Sequence, residues 1–383
     1  MIPYGKQNIN DNDINAVIDV LKSSFITQGP AVPRFEQKIC HFTGAHFGVA
    51  VNSATSALHI ACLALGIQKN DLVWTSPNSF VASANCALYC GANIDFVDID
   101  LKTYNLCADK LEEKLKTASQ IPKVVIPVAF AGQSANMEKI KALSQQYGFY
   151  VIEDASHAIG GSYKNKPIGC GDYADITIFS FHPVKIITTA EGGIAVTNNE
   201  TLAQKMALLR SHGITRDAEI LENPTEGGWY YEQHMLGFNY RMTEMQAALG
   251  CSQMDRLESF IEKRHKVKDH YHKILQNLPI TLPYQEPNGY SALHLYPICL
   301  KDISQRKAVF THLRSHDIGV NVHYIPIHTH PFYQKLGFKW GDFPIAEAYY
   351  HSAISIPMYP DLTDENLSTV KETLTSAFKS IAA

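Results

Sequence analysis

Short apolar runs recur along the first half of the chain and alternate with stretches of helical spacing. The runs are Phe47–Val51, Leu72–Thr75, Ile94–Val97, Val124–Val128, Tyr150–Ile152, Ile176–Phe181 and Ile194–Val196. Between them, Ala57–Leu65, Ser79–Tyr89, Met137–Gln146 and Leu202–Leu209 carry the spacing of helices. Strands of this length and apolarity, each followed by a helix, predict a mostly parallel sheet covered on both faces.

The pattern changes at Thr243. Thr243-Glu-Met-Gln246 has the form of a capping box, and a proline-free helical stretch follows to about Leu275. Residues 277–290 are rich in Pro and Asn and read as a connection. A smaller unit comes next: strand Leu293–Cys299, helix Gln305–Ser315, strand Val320–Tyr324 and a closing helix from Asp364 to Phe378. The division predicted is a large α/β domain over 1–250, with the N-terminal segment included. A linking helix and a small α+β domain then fill 251–383.

Composition narrows the function classes. The 383 residues include 45% hydrophobic and 18% charged positions, with a formal net charge of −4. Lys and Arg are scattered rather than gathered into a stripe, so nucleic acid is not expected as a partner. The N-terminus lacks the apolar core of a signal peptide, and the run at 124–130 is too short to span a bilayer and contains Pro127. The eight cysteines form no Cys-x-x-Cys pair and show no metal-type spacing. A reduced, cytoplasmic protein without a membrane anchor is expected.

Four motifs carry chemistry. In Ile176-Thr-Ile-Phe-Ser180-Phe-His182-Pro-Val-Lys185-Ile-Ile-Thr188-Thr-Ala-Glu191-Gly192-Gly193, a strand runs into a loop whose lysine is flanked by apolar residues. Desolvation would lower the amine's pKa and make it a nucleophile, although a loop lysine can also reach out to water. In Tyr150-Val-Ile-Glu153-Asp154-Ala-Ser156-His157, a strand ends in paired acids. Such a carboxylate can hold a pyridine nitrogen protonated, or simply cap the next turn. Asn52-Ser53-Ala54-Thr55-Ser56-Ala57 opens a helix with small and hydroxyl residues, suited to a phosphate or to ordinary capping. Phe80, just past a strand end, could stack on a flat ring or sit in the core. Neither a dinucleotide-type glycine motif nor a P-loop occurs.

Taken in order, these words resemble the DegT/DnrJ/StrS sugar aminotransferases over nearly the whole chain, together with Gly237-Phe-Asn239-Tyr-Arg241-Met-Thr-Glu-Met. The resemblance implies a fold-type I transferase dependent on pyridoxal 5'-phosphate. By it, Lys185 links covalently to the cofactor, Asp154 meets the pyridine nitrogen, and His157 lies near the ring hydroxyl. Phe80 stacks on the ring, and Thr55, Ser56 and Ser180 hold the phosphate. Asn239 reaches the phosphate of a neighbouring subunit, which implies a homodimer with shared sites. Thr27, Gln28, His323 and Tyr324 are expected on the substrate side. The implied reaction moves an amino group from L-glutamate to the 4-keto group of a UDP-linked 4-keto-6-deoxy-N-acetylhexosamine.

Other readings stay open at this stage. Another nucleotide keto-sugar could be the acceptor. A sugar dehydratase would be expected to carry His in place of Lys185, and a non-catalytic relative to lack Lys185 or Asp154. A metal enzyme could use His323, His328 and His330, but Pro326 interrupts that run and no acidic ligand lies near it in the sequence. No metal is expected.

Overall fold

The structure, a computed structural model, describes residues 1–223 and 226–382. Pro224 and Thr225 lie outside the described residues. The predicted runs form one seven-stranded sheet: β1 (Phe47–Val51), β2 (Leu72–Thr75), β3 (Asn93–Phe96), β4 (Val124–Ile126), β5 (Tyr150–Asp154), β6 (Ile176–Ser180) and β7 (Gly193–Thr197). Their spatial order is β1-β7-β6-β5-β4-β2-β3. Strands β3, β2, β4, β5 and β6 pair in parallel, while β7 runs antiparallel to both β6 and β1. Every residue of β6 and β7 is buried, as expected of strands covered on both faces.

Helices fill the two faces. Ser53 caps α3 (Ala54–Ala64) by accepting the Ser56 N–H, and Ala57, Leu58, Ile60 and Ala61 of that helix join the core on one face. On the other face, α2 (Ala31–Thr43) buries Phe35 and Ile39 beside Phe179 and Phe181 of the sheet. Its N-terminus is held by Glu244, whose carboxylate accepts the N–H groups of Ala31 and Val32 at 2.6 and 3.3 Å. Anchoring an anion at a helix N-terminus satisfies donors that would otherwise be orphaned in a buried place.

The C-terminal part has its own core. A three-stranded antiparallel sheet joins Ile280–Thr281, Tyr296–Leu300 and Ala353–Ile356. Side chains from helices 257–275, 306–315 and 364–382 pack on it, among them Tyr271, Val309, Val370 and Leu374. The N-terminal strand of chain joins this unit: Ile2 bridges Ile318, and Met358 donates its N–H to the Tyr4 carbonyl at 2.9 Å. Among the described residues, no helix is long and apolar enough to cross a membrane.

Several element boundaries differ from expectation. The capping box at Thr243 forms as read, but the long helix is broken into 244–254 and 257–275. Arg256 leaves helical geometry (φ −116°, ψ 1°) and turns its guanidinium back onto Asn8 and Asp13. The expected strand Val320–Tyr324 reduces to a single bridge between Asn321 and Ser355, and the chain then turns towards the main sheet. Leu293, expected to start a strand, takes a left-handed φ of 51°, so the strand begins at Tyr296. The helix expected from Ser79 begins at Ala82.

Asp13 fastens the first helix (Asp11–Lys22) to helix 244–254. It is fully buried and accepts from the Asn10 N–H at 3.0 Å, Ser252 Oγ at 2.6 Å and Gln253 Nε2 at 2.8 Å, besides pairing with Arg256. Asp13→Ala strands these donors and should cost about 3 kcal/mol. A lowered thermal unfolding midpoint is expected, and an unchanged one would show that the helix is held by packing alone.

Candidate active site

The C-terminal ends of β5 and β6 and the N-terminus of α3 converge on a cavity of about 570 Å³. Its wall includes Thr55, Phe80, Asp154, His157, Ser180, Lys185, His323 and Tyr324. These come from chain segments more than two hundred positions apart, and the crevice beyond the strand ends is where parallel sheets gather ligands.

Asp154 ends β5 and is 4% exposed. Ser83 Oγ donates to its Oδ2 at 2.6 Å, while Ser156 donates its hydroxyl at 2.6 Å and its N–H at 3.2 Å to Oδ1. All three donors are neutral. Among the described residues Asp154 forms no ion pair, so this buried carboxylate lacks the cationic partner that would offset its desolvation. Its neighbour Glu153 points to the opposite face, where Ser134 donates to it at 3.0 Å and burial raises its pKa to about 7.

Lys185 sits in the loop after β6. Ile186 and Ile187 beside it are buried in the core, and Lys185 itself is partly buried. The loop is braced by Thr188 Oγ1 on the Phe181 carbonyl at 3.0 Å and by Gln246 Nε2 on the Glu191 carbonyl at 2.8 Å. Among the described residues no hydrogen bond or ion pair ties down the Lys185 amine. Burial pushes its pKa down to about 8, against the opposing pull of Asp154. At pH 7.5 about a quarter of such amines are neutral, against about one in a thousand for an ordinary lysine. The amine is therefore both free to move and able to act as a nucleophile or base.

The α3 terminus forms the third side. The Ser56 N–H is already taken by Ser53 Oγ at 3.1 Å, and its hydroxyl donates to Asn52 at 2.7 Å. Ser56 is buried and is not part of the cavity wall, with its N–H and hydroxyl engaged in capping the helix. Among the described residues the N–H groups of Ala54 and Thr55 donate to no such acceptor, and both residues line the cavity. Gly193 makes room for this turn: a Cβ there would stand 2.4 Å from the Ala54 nitrogen.

Imidazoles line the back wall. The His157 and His294 rings pack with centroids 4.4 Å apart, tilted by 50°, and His323 bonds Ser355 Oγ at 2.9 Å. Burial, together with the Lys185 charge, pushes the pKa values of His157 and His294 well down and that of His323 to about 3. All three are neutral donors and acceptors at physiological pH. Phe80 stands at the mouth, 60% exposed, its ring 6.5 Å from that of Tyr324.

Of the residues expected from the sequence, Thr27, Gln28 and Asn239 do not line this cavity. The segment holding Thr27 and Gln28 lies by the N-terminus of helix 244–254, where Ile26 accepts the Glu244 N–H. His328 is fully buried and bonds Glu347 at 2.9 Å, so it does not join His323. Tyr4, Ser156, His294 and Asn321 also line the cavity and were not singled out. Ser156 was within reach of sequence reasoning, being two positions from Asp154 and of a type that bonds carboxylates. Nothing local marks the other three.

A parallel sheet with a nucleophilic lysine and a buried carboxylate at adjacent strand ends defines a fold-type I transferase of the aminotransferase kind. The chain belongs to the DegT/DnrJ/EryC1/StrS aminotransferase family, whose model matches residues 7–375. It is 38% identical over 391 residues to the UDP-4-amino-4,6-dideoxy-N-acetyl-beta-L-altrosamine transaminase of Campylobacter jejuni, covering 100% of this chain and 98% of that one. It is also 38% identical to the spore coat polysaccharide biosynthesis protein SpsC of Bacillus subtilis, over 99% of this chain and 97% of the relative. Among solved structures, Helicobacter pylori PseC, an aminotransferase of pseudaminic acid biosynthesis, superposes with a TM-score of 0.91 at 32% identity, covering 99% of both chains. A sugar-aminotransferase candidate from Streptococcus pneumoniae in its PLP form gives 0.91 at 28% identity, again over 99% of both chains.

If Gly193 is what keeps the α3 turn open, Gly193→Ala should weaken binding of pyridoxal 5'-phosphate by about tenfold or more, since backbone atoms cannot yield to a Cβ at that distance. Equilibrium titration of the purified variant checks this, and wild-type affinity would remove the turn from the site.

Proposed function

We propose that the chain transfers an amino group from L-glutamate to the 4-keto group of a UDP-linked 4-keto-6-deoxy-N-acetylhexosamine, using pyridoxal 5'-phosphate. The observation that carries this reading is the pair formed by Lys185 and Asp154. One is a buried amine with a lowered pKa, the other a buried carboxylate with only neutral donors, and they share one cavity without an ion pair. That carboxylate suits a protonated pyridine nitrogen, which would supply the missing positive charge. The cofactor, when bound, withdraws electrons from the carbon that loses its proton.

The chain's own residues do the rest. Lys185 would hold the cofactor covalently, and its amine, when free, would accept and return the proton that moves in the transfer. A group that must be neutral to accept and cationic to give is best served by a pKa near the working pH. Asp154 is held in place by its three hydrogen bonds from Ser83 and Ser156. Phe80 covers one face of the ring, while Thr55 and Ser180 bind the phosphate beside the α3 terminus. His323 and Tyr324, with Thr27 and Gln28 in a weaker role, meet the substrate. Lys185 argues against the dehydratase alternative.

The same reading makes the protein a homodimer. Glutamate brings two carboxylates, yet among the described residues no arginine lines the cavity and Lys185 is its single lysine. Asn239 is exposed and not part of its own chain's cavity wall, on a segment where Leu236 is 83% exposed. A second subunit presenting Asn239 and cationic side chains would complete the site. Residues 1–250 would then bind the cofactor and residues 251–383 close over the substrate. The Campylobacter relative supports the choice of sugar.

The cofactor-loaded protein should show a visible absorbance band that disappears on adding excess L-glutamate. A UDP-linked 4-keto sugar should bring it back, and Lys185→Ala should carry out neither conversion. A bound cofactor whose spectrum ignores glutamate would mean the wrong donor or reaction.

A further inference from the structure

Three cysteines gather between two helices on one face of the main sheet, and none of them lines the cavity. Cys62 lies on α3, while Cys86 lies on helix Ala82–Tyr89 and Cys90 is that helix's C-cap. All three belong to the same apolar cluster, in which Cys62 and Cys86 are fully buried and Cys90 is partly exposed. Cys86 Sγ donates to the Ser83 carbonyl at 3.4 Å, and Cys90 Sγ donates to the Cys86 carbonyl at 3.3 Å. The Cys62 thiol hydrogen-bonds both of them from across the helix pair.

Cys90 differs from the other thiols in its neighbours. His59, three residues before Cys62 on α3, hydrogen-bonds the Cys90 thiol, and its Nδ1 lies 3.2 Å from Tyr240 Oη. Phe238 and Tyr89 hold that imidazole in place, with ring centroids 4.8 and 5.4 Å from it. The hydrogen bond to Cys62, with further help from His59, brings the Cys90 thiol below its ordinary range against the opposing effect of burial. The thiolate is the nucleophilic form, so a thiol held beside an imidazole is the reactive kind. Other partly exposed thiols are driven the opposite way. Burial and the charge of Glu36 push Cys40 up to about 11, and burial raises Cys170.

We propose that Cys90 and Cys62 form a hydroperoxide-reactive dithiol, in which Cys90 attacks and Cys62 resolves. The Cys90 sulfur bonds one peroxide oxygen, the O–O bond breaks, and the other oxygen leaves with the thiol's proton as water or an alcohol. Cys90 is thereby oxidised by two electrons to a sulfenic acid, and the peroxide is reduced. The Cys62 sulfur then displaces the hydroxyl: the S–O bond breaks, the S–S bond forms, and the Cys62 proton leaves with that hydroxyl as water. Cys86 is excluded as the resolving partner by helix geometry. Side chains four positions apart on a helix have Cβ atoms about 5–6 Å apart, whereas a disulfide needs about 3.5–4.5 Å. Cys62 comes from a different helix and is free of that spacing. The site stands independently of the cofactor reading.

The test treats the reduced full-length protein with equimolar hydrogen peroxide, then alkylates it after denaturation and maps the peptides by mass spectrometry. The expected product is a Cys62–Cys90 disulfide, with the remaining cysteines alkylated. Cys90→Ser should lose that disulfide and Cys86→Ser should keep it. In Cys62→Ala the oxidation should stop at a sulfenic acid on Cys90 that dimedone traps. Without peroxide, iodoacetamide at neutral pH should modify Cys90 of the native protein about tenfold faster than Cys40 or Cys170, and His59→Phe should remove most of that advantage. The wild-type map decides the matter even where a core variant fails to fold. No disulfide, a disulfide between Cys86 and Cys90, oxidation falling first on Cys40, Cys107 or Cys170, or a Cys90 alkylated no faster than Cys40 would each overturn the proposal.

Discussion

Everything in this molecule turns on two opposite charges held in one partly dry cavity without being allowed to pair. A buried carboxylate and a buried amine at bonding distance would gain strongly from each other in low dielectric and would be chemically inert. Here Asp154 is satisfied by Ser83 and Ser156 instead, and among the described residues no hydrogen bond or ion pair engages the Lys185 amine. Each group is costly where it stands. The large apolar core around β5 and β6 bears that cost, and the result is a site waiting for a cation at one end and an electrophile at the other.

The sheet supplies the separation. Asp154 and Ser180 end neighbouring parallel strands, in register through Asp154 and Ile178, so their side chains open on the same edge. Strand β7 returns antiparallel from the lysine loop and carries Gly193 against the α3 turn. The lysine loop is thus closed over by two strands of the same sheet, with Ile186 and Ile187 driven into the core and Lys185 left to face the cavity. The C-terminal unit then brings His323 and Tyr324 across, and the N-terminal segment adds Tyr4.

Much of this could be read in the chain because it is local. The seven strands announced themselves as apolar runs, and Lys185, Asp154, Thr55 and Ser180 stand within short motifs that end or follow strands. What stayed hidden depends on distant partners. Ser83 meets Asp154 only when the helix Ala82–Tyr89 packs onto the sheet, and His294 reaches the wall only because Gly132 lets the 292–294 segment approach. The break at Asp255–Arg256 was invisible for the same reason: helical spacing continues through it, and the cause is a salt bridge to Asp13 far up the chain.

The account stands or falls on which side chain holds the cofactor. Borohydride reduction of the protein loaded with pyridoxal 5'-phosphate, followed by peptide mass mapping, measures this directly. The account predicts one reduced cofactor per chain, fixed on the peptide that contains Lys185. Attachment to another lysine, or none at all on a protein that binds the cofactor, would contradict it.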